Sequence, residues 1–79
     1  MERLSLEDLN GKCLYFEKIK GRVADLTTEN GKIQVKSYNR FECPLPNGKP
    51  QEEFEPEAFW EWLEQANFKV IPSIQYSPI

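Results

Sequence analysis

The side chains best suited to chemistry in this chain are two cysteines. Cys13 and Cys43 are thirty residues apart, and the sequence contains no histidine. Catalytic triads of the Ser-His-Asp and Cys-His kinds are therefore excluded. Structural zinc usually takes four Cys or His ligands, so we expect neither a metal site nor a bound cofactor. We interpret both cysteines as reduced, and Cys43 as a small buried apolar residue rather than as a reactive thiol.

Carboxylates offer the other route to catalysis, and three of them recur at helical spacing. They are Glu57, Glu61 and Glu64. Acid–base catalysis by paired carboxyl groups needs two environments that separate their pKa values. This spacing instead predicts the solvated face of an amphipathic helix, and nothing in the pattern indicates burial. We therefore expect that the protein is not an enzyme.

Trp60 is the residue of this predicted helix that most strongly suggests a binding role. It lies about 100° from the centre of the apolar face, between that face and the acidic residues. A partly exposed tryptophan is typical of the anchors of protein interfaces. The alternative is a boundary tryptophan that covers the edge of a sheet. The binding hypothesis assigns a protein partner to Trp60, Glu57, Glu61 and Glu64.

A second group of residues combines positive charge with an aromatic ring on two predicted neighbouring strands. Alternation along each strand projects these side chains to one side. Basic residues around an exposed ring are typical of surfaces that bind single-stranded nucleic acid. Glu17 and Asp25 interrupt the patch, and lysines on edge strands also discourage aggregation. The residues of this alternative nucleic-acid site are Lys18, Lys20, Arg22, Lys36, Tyr38 and Arg40.

Charge is distributed unequally along the chain. The sequence has 10 basic and 13 acidic residues, a net charge of −3, which argues against a general binder of nucleic acid or of anionic membranes. Residues 1–49 hold nine basic and seven acidic residues, a net of +2. Residues 50–79 hold one basic and six acidic residues, a net of −5. We expect a mildly basic sheet and an acidic helix, the usual appearance of a solvated surface.

The elements that position these residues begin with a hairpin over residues 22–38. An Asn-Gly dipeptide at residues 30–31 is a typical two-residue hairpin turn, and a turn of this length fixes the register of the two strands. The register places Leu26 opposite Val35 on an apolar face. It places Val23 on the opposite, polar face, where side chains of opposite charge also pair.

The segments on either side of the hairpin are assigned from strand and loop signals. We expect a first strand from Lys12 to Ile19, where aromatic and branched residues concentrate. A short strand is expected over residues 39–43, with Phe41 pointing inward. Prolines are frequent after Cys43, and they predict a loop over about residues 44–55.

The final third of the chain reads as a helix followed by a strand. The apolar spacing predicts the helix over about residues 56–67, and Pro56 suits its first position. A last strand is expected from Phe68 to Tyr76. Pro72 lacks an amide hydrogen, which marks this strand as an edge of the sheet.

These elements predict one α+β domain over residues 1–79. Its architecture is a small antiparallel sheet of three to five strands, built around the hairpin, with one helix packed across it. The alternative is a small SH3-like barrel with an added helix, because a bend at Gly21 would let short strands curl closed.

The predicted function is that of a small non-catalytic module that binds or regulates another protein. Binding of single-stranded nucleic acid on the basic strand face is the alternative. The chain opens without a signal segment, and no apolar stretch approaches the ~20 residues of a membrane span, so we expect a cytoplasmic location without membrane contact. A homodimer paired along an edge strand is a further expected partner.

Overall fold

The computed structural model describes residues 3–72, and that part of the chain folds as α+β, as predicted. Two helices and five strands are present in the described range. In chain order their bounds are α1 Leu6–Leu9, β1 Lys12–Phe16, β2 Gly21–Glu29, β3 Lys32–Ser37, β4 Gln51–Phe54, α2 Pro56–Ala66 and β5 Phe68–Pro72.

The five strands form one open antiparallel sheet with the order β4-β3-β2-β1-β5. Every neighbouring pair is antiparallel. The two outer strands, β4 and β5, are not paired with each other anywhere in the described range, so the sheet stays open. The barrel alternative is therefore wrong. The prediction that Pro72 belongs to an edge strand is confirmed, because β5 ends at this residue.

The hairpin of β2 and β3 has the predicted register. Leu26 lies opposite Val35, and Thr28 lies opposite Ile33, so the inward face of the hairpin is apolar and buried. Asn30 and Gly31 both have positive φ angles, 53° and 78°, which a two-residue turn between twisted strands requires. The dipeptide thus fixes both the turn and the burial pattern of its strands.

One residue of the hairpin departs from this pattern because β1 and β2 are joined through a bulge. Leu14 pairs with Ala24, but Tyr15 pairs with Arg22, so Val23 is an extra residue in β2. An extra residue shifts the alternation of side chains by one position. Val23 is consequently buried beside the buried Ala24, and its predicted place on the polar face is wrong.

Helix α2 joins the two edges of the sheet by crossing its apolar face. Pro56 lies in the first turn, as predicted, where the lack of an amide hydrogen costs nothing. Asn67 ends the helix in the left-handed region, with φ of 61°. Phe59 and Leu63 are fully buried, and α2 contacts both β3 and β5.

Aromatic rings dominate the core between α2 and the sheet. Phe54 of β4 stacks on Trp62 with ring centroids 5.0 Å apart, and Trp62 meets Phe68 of β5 edge-on at 5.4 Å. Phe59 contacts Phe54 at 6.0 Å and Trp60 at 5.2 Å. We call these five residues the aromatic cluster. The cluster connects both edge strands to the helix, since it includes one ring from each.

The segment between β3 and β4 differs from its prediction in two ways. Residues 39–43 form a turn rather than a strand, and Phe41 points outward with 83% of its surface exposed. The predicted loop over residues 44–55 contains strand β4, in which Phe54 is buried opposite Ile33. Because β4 contains only one apolar side chain in four residues, its sequence shows no alternation of apolar and polar residues. The strand forms because these residues pair with β3.

The first and last strands are shorter than their predictions. β1 ends at Phe16, and residues 17–20 form a turn in which Lys20 has a φ of 50°. β5 ends at Pro72, and the rest of the predicted strand, to Tyr76, lies outside the described residues. Within residues 3–72, no helix has the length and apolar character needed to cross a membrane.

Candidate functional site

The predicted protein-binding residues of α2 separate into one buried ring and three exposed acids. Trp60 is only 4% exposed and belongs to the aromatic cluster, so the expectation of a partly exposed tryptophan is wrong. The hydrophobic core also includes Cys43 and Leu45, which lie outside the sheet. Glu57, Glu61 and Glu64 are all exposed.

The predicted nucleic-acid residues lie in three different places. Arg22, Lys36 and Tyr38 lie on the open face of the sheet, opposite α2. Asp25 is directly opposite Lys36 on the same face, so a carboxylate divides the positive charge there. The remaining residues lie in connecting turns rather than on strands, and they are Lys18, Lys20 and Arg40.

The open face carries a hydrogen-bonded cluster around Asp25. The hydroxyl group of Tyr38 donates to Oδ1 of Asp25, and the thiol of Cys13 donates to the same oxygen at 3.5 Å. Nη1 of Arg22 lies 4.0 Å from Sγ of Cys13. Cys13 itself is 1% exposed. This arrangement is a satisfied polar network that fixes the direction of the Tyr38 side chain.

The surroundings of Tyr38 also change the pKa of its hydroxyl group. Burial of its hydroxyl end, together with the hydrogen bond to Asp25 and the neighbouring Cys13 thiol, raises the pKa of Tyr38 well above its usual range. The ring itself stays about half exposed. Tyr38 thus combines a fixed hydroxyl group with an exposed ring at the point where the chain leaves β3.

Residues 38–50, which we call the β3–β4 loop, are held by hydrogen bonds at both ends. The carbonyl oxygen of Asn39 accepts the amide N–H of Cys43 at 2.9 Å, and its side-chain oxygen accepts the N–H of Phe41 at 2.9 Å. The hydroxyl group of Ser37, which is buried, donates to the carbonyl oxygen of Cys43 at 2.9 Å. These bonds close the first turn of the loop and attach it to β3.

Asn47 organises the second half of the loop. Its side-chain oxygen accepts the N–H of Lys49 at 2.9 Å, and its side-chain nitrogen donates to the carbonyl oxygen of Gln51 at 3.1 Å. Its own N–H donates to the carboxylate of Glu52 at 2.9 Å. A single short polar side chain therefore links this turn to the start of β4, as Asn commonly does in turns.

The buried thiol in this loop is an anchor rather than a reactive group. Cys43 has no exposed surface and is part of the hydrophobic core. Burial raises the pKa of Cys43 to about 11, an effect that the Ser37 hydroxyl group partly offsets. A thiol that stays protonated at neutral pH is a poor nucleophile, so the structural interpretation of Cys43 agrees with its surroundings.

Phe41 is the most exposed large hydrophobic residue in the described part of the chain. Its exposed fraction of 83% is well above the 48% of Tyr38 and the 44% of Ile19. The guanidinium carbon of Arg40 lies 5.3 Å from the centre of the Phe41 ring, within range of a cation–π interaction. The exposed ring of Phe41 thus has a hydrogen-bonded turn at its backbone and the guanidinium group of Arg40 beside its face.

A shallow pocket of about 200 Å³ adjoins this ring. Its wall is mostly apolar, and its volume is below the ~300 Å³ at which typical small-molecule sites begin. The residues that line it are Arg40, Phe41, Pro44, Leu45, Gly48 and Lys49. The loop therefore presents a projecting ring and a small apolar depression side by side, which together form the candidate site.

A wider depression of about 360 Å³ lies near the end of α2, where Glu17, Glu64 and Lys69 contribute charges of both signs. Among the described residues, no group of three or more His, Cys, Asp or Glu side chains is placed to hold a metal ion. Comparison of the chain with protein-family models, with curated proteins and with solved structures finds no match. The functional argument therefore depends on the geometry of the loop.

Sequence reasoning missed the loop site because Phe41 was assigned to a strand interior. The signal in the sequence that would have found it is Asn39. In turns, the side chain of an Asn commonly accepts the amide N–H of the residue two positions later, which here is Phe41. The bond turns the chain before Phe41, and the burial of Cys43 then places the intervening ring outside.

Proposed function

We propose that this chain is a non-catalytic protein-binding domain and that a partner protein contacts its β3–β4 loop through Phe41. The observation that carries the proposal is the 83% exposure of this ring on a loop fixed by hydrogen bonds. Single exposed apolar residues are common on protein surfaces. The combination of an exposed ring, an ordered backbone and an adjoining pocket is what supports a binding role.

The order of the loop matters because association normally costs conformational entropy. Immobilising a flexible side chain at an interface costs about 0.5–1.5 kcal/mol, and ordering a loop adds to that cost. Here the side chain of Asn39 already holds the backbone N–H of Phe41 in the free protein, and the guanidinium group of Arg40 contacts its ring. Buried aromatic residues also contribute much of the energy at the centre of protein interfaces.

A cytoplasmic location is part of this proposal. Both cysteines are free and buried, and the cytoplasm is the compartment in which such thiols stay reduced. Pairing of two copies along β5 is a competing way to form a complex, since an exposed strand edge can accept another strand. Sedimentation equilibrium distinguishes the two, because the Phe41 proposal requires no self-association.

Single-stranded nucleic-acid binding on the open face is the second candidate function. It is favoured by the shared face of Arg22, Lys36 and Tyr38, and Asp25 counts against it. Fluorescence anisotropy with labelled single-stranded RNA and DNA tests it directly. Binding that weakens steeply with salt and is lost in Lys36→Gln would favour this candidate.

The experiment for the first candidate is affinity capture with matched variants. A tagged chain is incubated with nuclease-treated lysate of its source cells, beside Phe41→Ser and the control Ile19→Ser, which removes an exposed apolar residue from the β1–β2 turn. We expect the wild type and Ile19→Ser to retain the same protein and Phe41→Ser to lose it. Equal recovery by all three chains, with equal circular dichroism spectra, would overturn the proposal.

A further inference from the structure

We infer that the segment recognised by the β3–β4 loop is acidic and inserts one large apolar side chain into the pocket beside Phe41. This inference rests on the proposed function and adds the chemistry of the partner. It is carried by the pocket's composition: apolar walls between two cations, Arg40 and Lys49, with no acidic residue among the described residues that line it.

The apolar half of the inference follows from the walls of the pocket. Phe41, Pro44 and Leu45 supply carbon surface, and the pocket of about 200 Å³ is too small for a typical cofactor or drug-sized ligand. Burying a Leu, Ile or Phe side chain there removes apolar surface from water on both partners. Phe41 is exposed enough to close over such a side chain from one side.

The acidic half follows from the charges around the pocket. Arg40 and Lys49 both line it. The carboxylate of Glu52 accepts the backbone N–H of Asn47, and Glu52 is not among the residues that line the pocket. A partner that places carboxylates beside its apolar side chain would meet Arg40 and Lys49 at the rim, where complementary charge favours encounter and orientation.

The net charge of the whole chain, −3, does not prevent this recognition. Charges separated by more than ~8–10 Å are largely screened at physiological ionic strength, so the charges at the rim decide the local potential. Residues 50–79 carry a net charge of −5, to which the three exposed acids of α2 contribute. The pocket therefore presents two cations and, among the described residues that line it, no carboxylate, on a protein that is acidic overall.

A second copy of this chain does not offer the required segment through its acidic helix. Glu57, Glu61 and Glu64 of α2 are exposed, but the large apolar residues of the helix are buried or half-buried in the core. The other exposed residues of α2 are Ala58 and Gln65. The helix thus supplies carboxylates without an exposed large apolar side chain, so α2 of a second copy does not match the proposed segment.

Selection from a library of random twelve-residue peptides tests the inference without knowledge of the partner. The library is displayed on phage, selected on the wild-type chain, and counter-selected on Phe41→Ser. We expect the enriched sequences to place Asp or Glu within two positions of a Leu, Ile, Met or aromatic residue. Enriched sequences that depend on Phe41 but lack acidic residues would overturn the inference and leave the proposed function standing. No enrichment that depends on Phe41 would overturn both.

The affinity of an enriched peptide then separates the apolar and the acidic contributions. Measured by fluorescence anisotropy, Phe41→Ser is expected to weaken binding about thirtyfold, as loss of a central interface aromatic does. Lys49→Glu is expected to weaken it about fivefold, with a reduced salt dependence. The control Lys18→Glu makes the same charge change in the β1–β2 turn and should leave affinity unchanged. Equal effects of the two lysine changes would show that only overall charge matters and would overturn the acidic assignment.

Discussion

The aromatic cluster and the β3–β4 loop both place rings at defined positions, but they do so by different means. In the aromatic cluster, rings position one another. The ring of Trp62, for example, contacts those of both Phe54 and Phe68, with centroids 5.0 Å and 5.4 Å apart. In the loop, hydrogen bonds of Asn39 position the backbone, and Phe41 has a cation rather than another ring beside it. The first arrangement buries the rings fully or in part, and the second leaves a ring in water.

This difference indicates what each region contributes. Rings that contact each other in the core stabilise the fold, because each large aromatic residue buries roughly 150–250 Å². A ring that remains in water contributes little to the free energy of unfolding, and its apolar surface is available to a partner. Substitutions that separate stability from binding therefore test the comparison.

The largest expected effect is the loss of stability in Trp60→Ala. Because the side chain is 4% exposed, its removal leaves a cavity in the aromatic cluster, and such changes cost about 3–5 kcal/mol. Phe41→Ala should change the free energy of unfolding by less than about 0.5 kcal/mol, as exposed substitutions do. Urea denaturation followed by circular dichroism measures both values.

The loss of stability in Trp60→Ala has to be compared with the total free energy of unfolding of the chain. A chain of 79 residues has an expected free energy of unfolding of roughly 4–12 kcal/mol, so the loss expected in Trp60→Ala is a large fraction of the total. Trp60→Phe keeps a ring in the same place and provides a milder variant that can still be measured. If Trp60→Ala and Phe41→Ala had equal effects on unfolding, the distinction between the two regions would fail.

The parts of the fold that the sequence predicted are those specified by neighbouring residues. The Asn30-Gly31 turn determines the register of β2 and β3, and Pro56 with the helical spacing of Phe59 and Leu63 determines α2. Turn geometry, the first helical position and side-chain periodicity are properties of short segments. They can therefore be read before the packing of the whole chain is known.

The parts that were missed depend on contacts between distant residues. β4 exists because residues 51–54 pair with β3, and its own composition is that of a loop. Trp60 is buried because the aromatic cluster brings the helix against both edge strands. Phe41 is exposed because the burial of Cys43 and the Asn39 turn orient the loop between them. No periodic pattern within these segments specifies such contacts.

An intermediate effect is expected when Cys43 is ionised. Its pKa is about 11 in the folded protein, above the value of 9.0 for an unperturbed thiol, so folding favours the protonated form. The corresponding stability is fully present below about pH 9 and is lost as pH rises through about 11. This separation of the folded and unfolded pKa values corresponds to about 3 kcal/mol of stability once the thiol is fully ionised.

The measurement compares the wild type with Cys43→Ala by urea denaturation at pH 7.5 and pH 10.5. Both chains lose some stability at high pH, since Tyr38 also has a raised pKa, but the loss should be larger in the wild type. Cys43→Ala is less stable at pH 7.5 because it removes a buried side chain. An identical loss in the two chains would show that Cys43 is not the anchor that responds to alkaline pH.

A smaller loss of stability than in Trp60→Ala or on ionisation of Cys43 is expected for Tyr38→Phe, which removes one hydroxyl group at the start of the loop. The group donates to Asp25, and a hydrogen bond to a charged acceptor at a half-exposed position contributes about 1 kcal/mol. A double-mutant cycle with Asp25→Asn isolates this bond, because the coupling energy excludes other effects of either change. Since Tyr38 begins the β3–β4 loop, amide hydrogen exchange should accelerate over residues 39–43 and stay unchanged in α2. Acceleration in α2 instead would mean that the loop and the aromatic cluster unfold as one unit, and Phe41 would then not be held independently of the core.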